Sequence, residues 1–239
     1  MLKKIGKILV VAVLLLLGIA GILFAIIHES RPKSSPSKEA DALANKMLTA
    51  LNYEAYKNTR FLEWSFANNQ HHYLWDKEQH QVKVRWDAYT VTLNLNDHSK
   101  GKALKNETLL EGEEKKEIMQ KARTLFNNDS FWLVAPYKVF DKGTQRSLVP
   151  YNNGSNGLMV TYTSGGDTPG DSYLWILDEK GIPQSFKMWV KIIPIGGLEA
   201  SWEGWQVMKS GALLPNSHQL GPFNFSMGDV KGYNTVIKK

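Results

Sequence analysis

Three sets of side chains in this 239-residue chain have types that could do chemistry, and their spacing decides whether they can. His71, His72 and His80, with Asp76 among them, offer the nitrogen and oxygen donors that zinc accepts. On an extended strand, however, His71 and His72 point to opposite faces and cannot share an ion, so they read as exposed strand histidines. No metal and no cofactor is expected. Ser217, His218 and Asp229 have the residue types of a hydrolase triad. No serine lies in a Gly-x-Ser-x-Gly elbow, and nothing announces an oxyanion hole. The chain therefore reads as a protein that is not an enzyme, with a hydrolase using Ser217 or His218 as the least favoured alternative. Asp167, Asp171 and Asp178 all fall in predicted turns, where aspartate bonds local backbone.

The tryptophans carry more information. Trp64, Trp75, Trp86, Trp175, Trp189, Trp202 and Trp205 fall on or beside predicted strands, and Trp132 lies in an aromatic segment between them. Large rings in such numbers either fill a core or line an apolar pocket. The candidate lining of a ligand cavity is Trp64, Tyr73, Trp75 and Trp86 in the first half of the chain, with Trp132, Trp175, Trp189 and Trp202 in the second.

The elements that must position these rings follow from periodicity. Residues 165–190 specify a hairpin: a turn at Thr168-Pro169-Gly170-Asp171, a strand apolar on both faces through Tyr173, Trp175 and Leu177, a reversal at Asp178–Gly181, and a return through Phe186, Met188 and Val190. Ser37 caps a helix whose Ala40, Leu43, Ala44, Met47, Leu48 and Leu51 recur at three and four. Four strands of period two run from Leu62 to Leu95. A second helix spans Glu111 to Phe126, and an aromatic connection through Asp129, Phe131-Trp132-Leu133 and Ala135-Pro136-Tyr137 leads to strands at 158–162, the central hairpin, 200–207 and 223–227.

The amino terminus is different. The twenty residues from Ile8 to Ile27 hold no charge and would span about 30 Å as a helix, the thickness of a bilayer's hydrocarbon. Lys3, Lys4 and Lys7 precede them, which predicts a single-pass signal anchor in the cytoplasmic (inner) membrane, amino terminus in, with the rest extracytoplasmic. Residues 1–27 then form a cytoplasmic stub and transmembrane helix, 28–37 a polar linker, and 38–239 the folded domain. Those three lysines supply half of the net charge of +6, and the remaining basic residues are scattered among acids, so nucleic acid is not an expected partner. The absence of cysteine excludes a disulfide framework and a cysteine-borne lipid anchor.

Several stretches together carry a resemblance: Asn128-Asp129-Ser130-Phe131-Trp132-Leu133, Ala135-Pro136-Tyr137-Lys138 with Phe140-Asp141, Thr168-Pro169-Gly170-Asp171, and Leu177-Asp178-Glu179 with Gly181-Ile182-Pro183. In these the chain resembles a group of bacterial (Bacteroidetes-type) envelope proteins whose domain is similar to the LolA/LolB lipoprotein-localisation fold. The resemblance implies an α+β domain: a strongly curved, open antiparallel sheet, or half-barrel, with helices covering its concave face and an apolar cavity between. Joined to the membrane run, it predicts an anchored periplasmic binding protein for lipid, an acyl chain or a lipoprotein-like apolar ligand. The alternative is a structural or interaction scaffold of the cell envelope without ligand. A shuttling carrier fits poorly with an anchored chain.

Overall fold

The computed structural model describes residues 13–15, 18, 21, 24–151, 154–164 and 169–235. Ser37 opens α1 (Lys38–Ala50), its hydroxyl accepting from the Ala40 N–H at 3.1 Å and satisfying a donor of the first turn. The stripe of Ala40, Ala44, Met47 and Leu48 is buried, as an amphipathic helix requires. A short helix, α2 (Tyr53–Asn58), follows.

Alternating residues then build β1 (Phe61–Phe66), β2 (His71–Asp76), β3 (Gln81–Trp86), β4 (Tyr89–Asn94), β5 (Gly101–Lys105) and β6 (Thr108–Leu109) as an antiparallel meander. One register row, Trp64–Tyr73–Val84–Val91–Ala103, is buried throughout. The adjacent row, Leu74–Lys83–Thr92–Lys102, faces outward, so the sheet has a dry and a wet side.

The dry side is covered by α3 (Gly112–Val134), which lies over β4 and β5 and buries Met119, Ala122, Phe126 and Leu133. This helix is longer than expected. Residues 127–134, anticipated as a connection, form its last two turns and run into a 3-10 turn at Ala135–Lys138.

The remaining strands are β7 (Thr144–Pro150), β8 (Asn156–Tyr162), β9 (Ser172–Leu177), β10 (Pro183–Trp189), β11 (Leu198–Ser201), β12 (Gln206–Val207), β13 (Leu213–Leu214), β14 (Ser217–Leu220), β15 (Phe223–Ser226) and β16 (Lys231–Tyr233). The second sheet has the order β15-β14-β11-β10-β9-β8-β7; β12 and β13 make a separate ribbon, and β16 returns to pair with β1. The architecture is α+β, mostly antiparallel sheet with a few helices, and neither large sheet is closed.

One continuous curved sheet was the expectation; the described strands form two seven-stranded sheets instead. The reason is local. β16 pairs with Phe61–Glu63 on the outer edge of β1, β15 pairs with β14, and a backbone link between the two sheets runs through Met227, which donates to the Asn216 carbonyl and accepts from the Ser65 N–H. A single large core cluster contains buried residues of both sheets, α1 and α3.

The β9–β10 hairpin is apolar on both faces. Trp175 points into the core, while Leu174 joins Val149 and Met159 in a small outer cluster against which Ile176 and Trp189 pack. Of residues 28–37, expected as a tether, 28–36 cross that outer face and are fastened to it. Trp189 Nε1 donates to the Glu29 carbonyl (2.7 Å), Lys187 pairs with the Glu29 carboxylate (2.7 Å), Arg31 donates to Ser172 Oγ (3.0 Å), and Pro36 bridges to Ser147. Most of the expected membrane span, residues 8–27, lies outside the described residues. Those of it that are described are helical, and among the described residues no helix is long and apolar enough to cross a membrane.

The corner between the sheets depends on Gly228, at φ +64°, where an added Cβ would run into Ser65 Oγ. Gly228→Ala should destabilise the protein by about 1–3 kcal/mol, seen as a lower denaturant midpoint with unchanged slope. A midpoint equal to the wild type would show that the corner tolerates a side chain.

Candidate functional site

The packed interior shared by the two sheets is where the sequence candidates converge. From the first sheet, Trp64 stacks on Tyr73 (centroids 4.6 Å apart), Trp75 meets Phe126 of α3 edge-on (5.3 Å), and Trp86 stacks on Tyr89 (5.3 Å). From the second, Trp175 packs against Phe186 and Trp202 at 5.2 and 5.0 Å. Trp132, near the end of α3, lies between Phe186, His218 and Phe225 at 5.2–5.8 Å. Seven of the eight predicted lining residues thus face one interior, and Trp64, Tyr73, Trp86, Trp175 and Trp202 are buried there. Trp189 is the exception. It lies on the outer face of β10 in contact with the amino-terminal strap, because the pleat places it opposite to Met188.

This interior is not purely apolar. The indole N–H groups of Trp64, Trp75, Trp86 and Trp202 are buried without an acceptor among the described residues. A buried indole donor without a protein acceptor carries a cost that a carbonyl or carboxylate oxygen brought alongside would offset.

Beside them stands a polar cluster missed by the sequence reading. Asp129, 4% exposed, receives hydrogen bonds on Oδ2 from the Tyr73 hydroxyl (2.6 Å) and His71 Nδ1 (2.8 Å). Burial raises the Asp129 pKa above the usual carboxylate range, while the Tyr73 and His71 donors oppose the rise by favouring the anion. Burial also pushes the Tyr73 phenol far upward, with the neighbouring carboxylate adding to the shift. His71 is therefore no exposed strand histidine; it points inward at the rim of the interior, its side chain 20% exposed. The signal for Asp129 was its place on the stripe Ala122, Phe126, Asp129, Leu133, where spacings of four, three and four put an acid on a buried face.

The other candidates separate. His72 sits on the outer face opposite Arg85, and His80 occupies the turn after β2 at positive φ. Among the described residues, no group of three or more His, Cys, Asp or Glu side chains could hold a metal ion. Ser217 Oγ bonds to Asn216 and Asp229 pairs with Lys231 in solvent, whereas the His218 ring is buried with Nδ1 on the Ser201 carbonyl (3.0 Å), so the three do not form a relay. Asp178 Oδ1 accepts from the Ile182 N–H within its own turn (2.8 Å); Asp171 reaches the Lys191 N–H on the adjoining loop (3.0 Å); Asp167 lies outside the described residues. Set against known proteins, the chain matches no protein-family model and no curated protein.

Two outcomes follow from this geometry. Asp129→Ala strands the buried Tyr73 hydroxyl and the partly exposed His71 donor and should cost about 1–3 kcal/mol, whereas the double variant with Tyr73→Phe should cost less than the sum of the single changes, in a denaturation double-mutant cycle. For His218, burial pushes the pKa down to about 4 from 6.5, against the Ser201 and Trp132 carbonyls, which favour the charged ring. The unfolded chain therefore takes up a proton first. The neutral ring's stabilisation is complete above pH 6.5 and lost as pH falls to about 4, a loss of about 3 kcal/mol. The Asp129 carboxyl has the opposite sign, its raised pKa favouring the fold at low pH, so a comparison with His218→Asn isolates the imidazole. The wild type's advantage over that variant should narrow by this amount between pH 7 and pH 4, and a constant gap would refute the assignment.

Proposed function

We propose that this is a membrane-anchored, extracytoplasmic binding protein whose domain holds a lipid, an acyl chain or a lipoprotein-like apolar group between its two sheets. The observation that carries the proposal is the set of four buried, acceptor-less indole donors, accompanied by Asp129, His71 and Tyr73, in an interior otherwise made of apolar and aromatic side chains. Such an interior suits a ligand with a long apolar body and one oxygen-bearing end. Burying some 200 Å² of hydrocarbon would favour occupancy by about 5 kcal/mol before the costs of binding. The half-buried rings of Phe131, Tyr162 and Tyr173 cluster at 4.7–6.3 Å, at the end of the second sheet to which residues 28 and 29 are attached. A ligand leaving the bilayer would meet the interior at that end. The half-barrel architecture implied by the LolA/LolB resemblance belongs to the same reading, with the two sheets as its two flanks and α1 and α3 between them.

A second reading has its own support. Trp175, Phe186 and Trp202 are at most 1% exposed and pack on one another, as in a core filled by its own side chains, which fits an envelope scaffold without ligand.

Native mass spectrometry and lipid extraction of the full chain, purified from bacterial membranes, separate the two. Binding predicts co-purified acyl lipid, uptake of a fluorescent fatty acid, and loss of that uptake in Trp75→Ala, a half-buried position where truncation spares the deepest core. Trp175→Ala should act in the same direction at a greater cost in stability, about 3–5 kcal/mol. Ligand-free protein that takes up no fatty acid would leave the scaffold.

A further inference from the structure

We infer that residues 190–197 form a membrane-contacting loop, lying in the bilayer interface beside the emerging amino-terminal helix and holding the domain in one orientation, with that end of the second sheet against lipid. The inference rests on the anchor reading above and adds to it a second contact and a fixed geometry.

The loop reads Val-Lys-Ile-Ile-Pro-Ile-Gly-Gly. At 76%, Ile192 is the most exposed large apolar side chain among the described residues, and Pro194, two residues on, is exposed too. An apolar tip held out in water is a cost that insertion among acyl chains removes. Trp189 and Lys191 flank it, the aromatic and basic types favoured at a membrane–water boundary.

Its position points to lipid as the occupant. The apolar run of the sequence ends at Ile27, and the very next residue is fastened to this loop: His28 Nδ1 accepts from the Gly196 N–H (3.0 Å), and the Glu29 N–H donates to the Gly196 carbonyl (2.9 Å). The His28 N–H also donates to the Phe24 carbonyl (2.8 Å), with the two rings stacked at 4.9 Å, so the helical turn runs into the fastening without a flexible residue between. Phe24, Ile26 and Ile27 are exposed on that turn, immediately before the residues fastened to the loop. The close approach is built in, since a Cβ at Gly196 would stand 2.6 Å from the Trp189 ring and 2.7 Å from the Glu29 carbonyl oxygen. At the other end of the β9–β10 hairpin, one strand length or about 20 Å away, the turn Asp178-Glu179-Lys180 is polar.

The chain has no cysteine, so Ile192→Cys and Lys180→Cys each give a single labelling site at an exposed position. The full chain, labelled with an environment-sensitive fluorophore, is reconstituted into vesicles of phosphatidylcholine and phosphatidylglycerol, washed at alkaline pH and titrated with nitroxide lipids. The expected result is a blue-shifted position-192 label, quenched several-fold more than that at 180 and most strongly by nitroxides about 5–10 Å below the headgroups. Adding Gly196→Val to Ile192→Cys should push the strap away and bring the 192 label towards the behaviour of 180 while the protein stays wash-resistant. A 192 label that matches 180 in a wash-resistant protein overturns the loop and leaves the anchor standing. Protein that washes off overturns the anchor reading, and the inference with it. A label that is blue-shifted but unquenched by any lipid overturns the inference in favour of a protein partner or a second copy at this surface.

Discussion

A carboxylate taken out of water among aromatic rings must be paired or protonated, and in this protein that constraint falls on Asp129. Both donors that meet it, Tyr73 and His71, come from β2, so pairing the charge pins α3 to the first sheet at one point and in one rotation. A helix turned by a single residue would move Asp129 about 100° around the axis and away from both partners. With that rotation set, Phe126 falls against Trp64 and Trp75, and Phe131 and Trp132 point to the second sheet against Tyr173 and Phe186. One polar contact thus orients the helix that both sheets share.

The sheets themselves are held by non-directional packing, which explains their looser mutual connection. Met227 bridges the ladders by two backbone hydrogen bonds, while the core cluster spans both. Where packing supplies most of the cohesion, large rings are useful because each buries 150–250 Å². Their indole donors are less easily accommodated, and four of them have no acceptor among the described residues. The same rings therefore give the domain its cohesion and carry its unmatched donors, and a single substitution at one of them would change both.

Much of this was legible in the chain. Ser37 as a helix cap, the period-two runs of β1 to β4, and the turns at Gly170 and Gly181 are local signals, and local physics decides them. The end of α3 was not legible because Asn127, Asn128, Asp129 and Ser130 are poor helix formers that favour caps and turns. Packing on both sheets overrides that preference. The same error hid Asp129, since an acid in a presumed connection suggests solvent. Thr144–Pro150 and Lys231–Tyr233 escaped for another reason: they are strands by virtue of partners, not of their own alternation. The strap showed only polarity and proline in its sequence. Its docking depends on groups brought together from three other strands, Ser147 of β7, Ser172 of β9, and Lys187 and Trp189 of β10.

The pairing of β16 with β1 has a temporal meaning. Tyr233 donates to the Glu63 carboxylate from 170 residues further along the chain. As the polypeptide is made from its amino terminus, β1 to β5 can fold on local hairpin contacts, but the outer edge of β1 stays unpaired until residues 231–233 have emerged. An unpaired edge is a template for the strands of other chains. Closing a loop of that length carries an entropic cost that slows the final step. The nascent domain thus passes through a long interval in which its first sheet is formed and still adhesive, and the three residues of β16 decide when that interval ends.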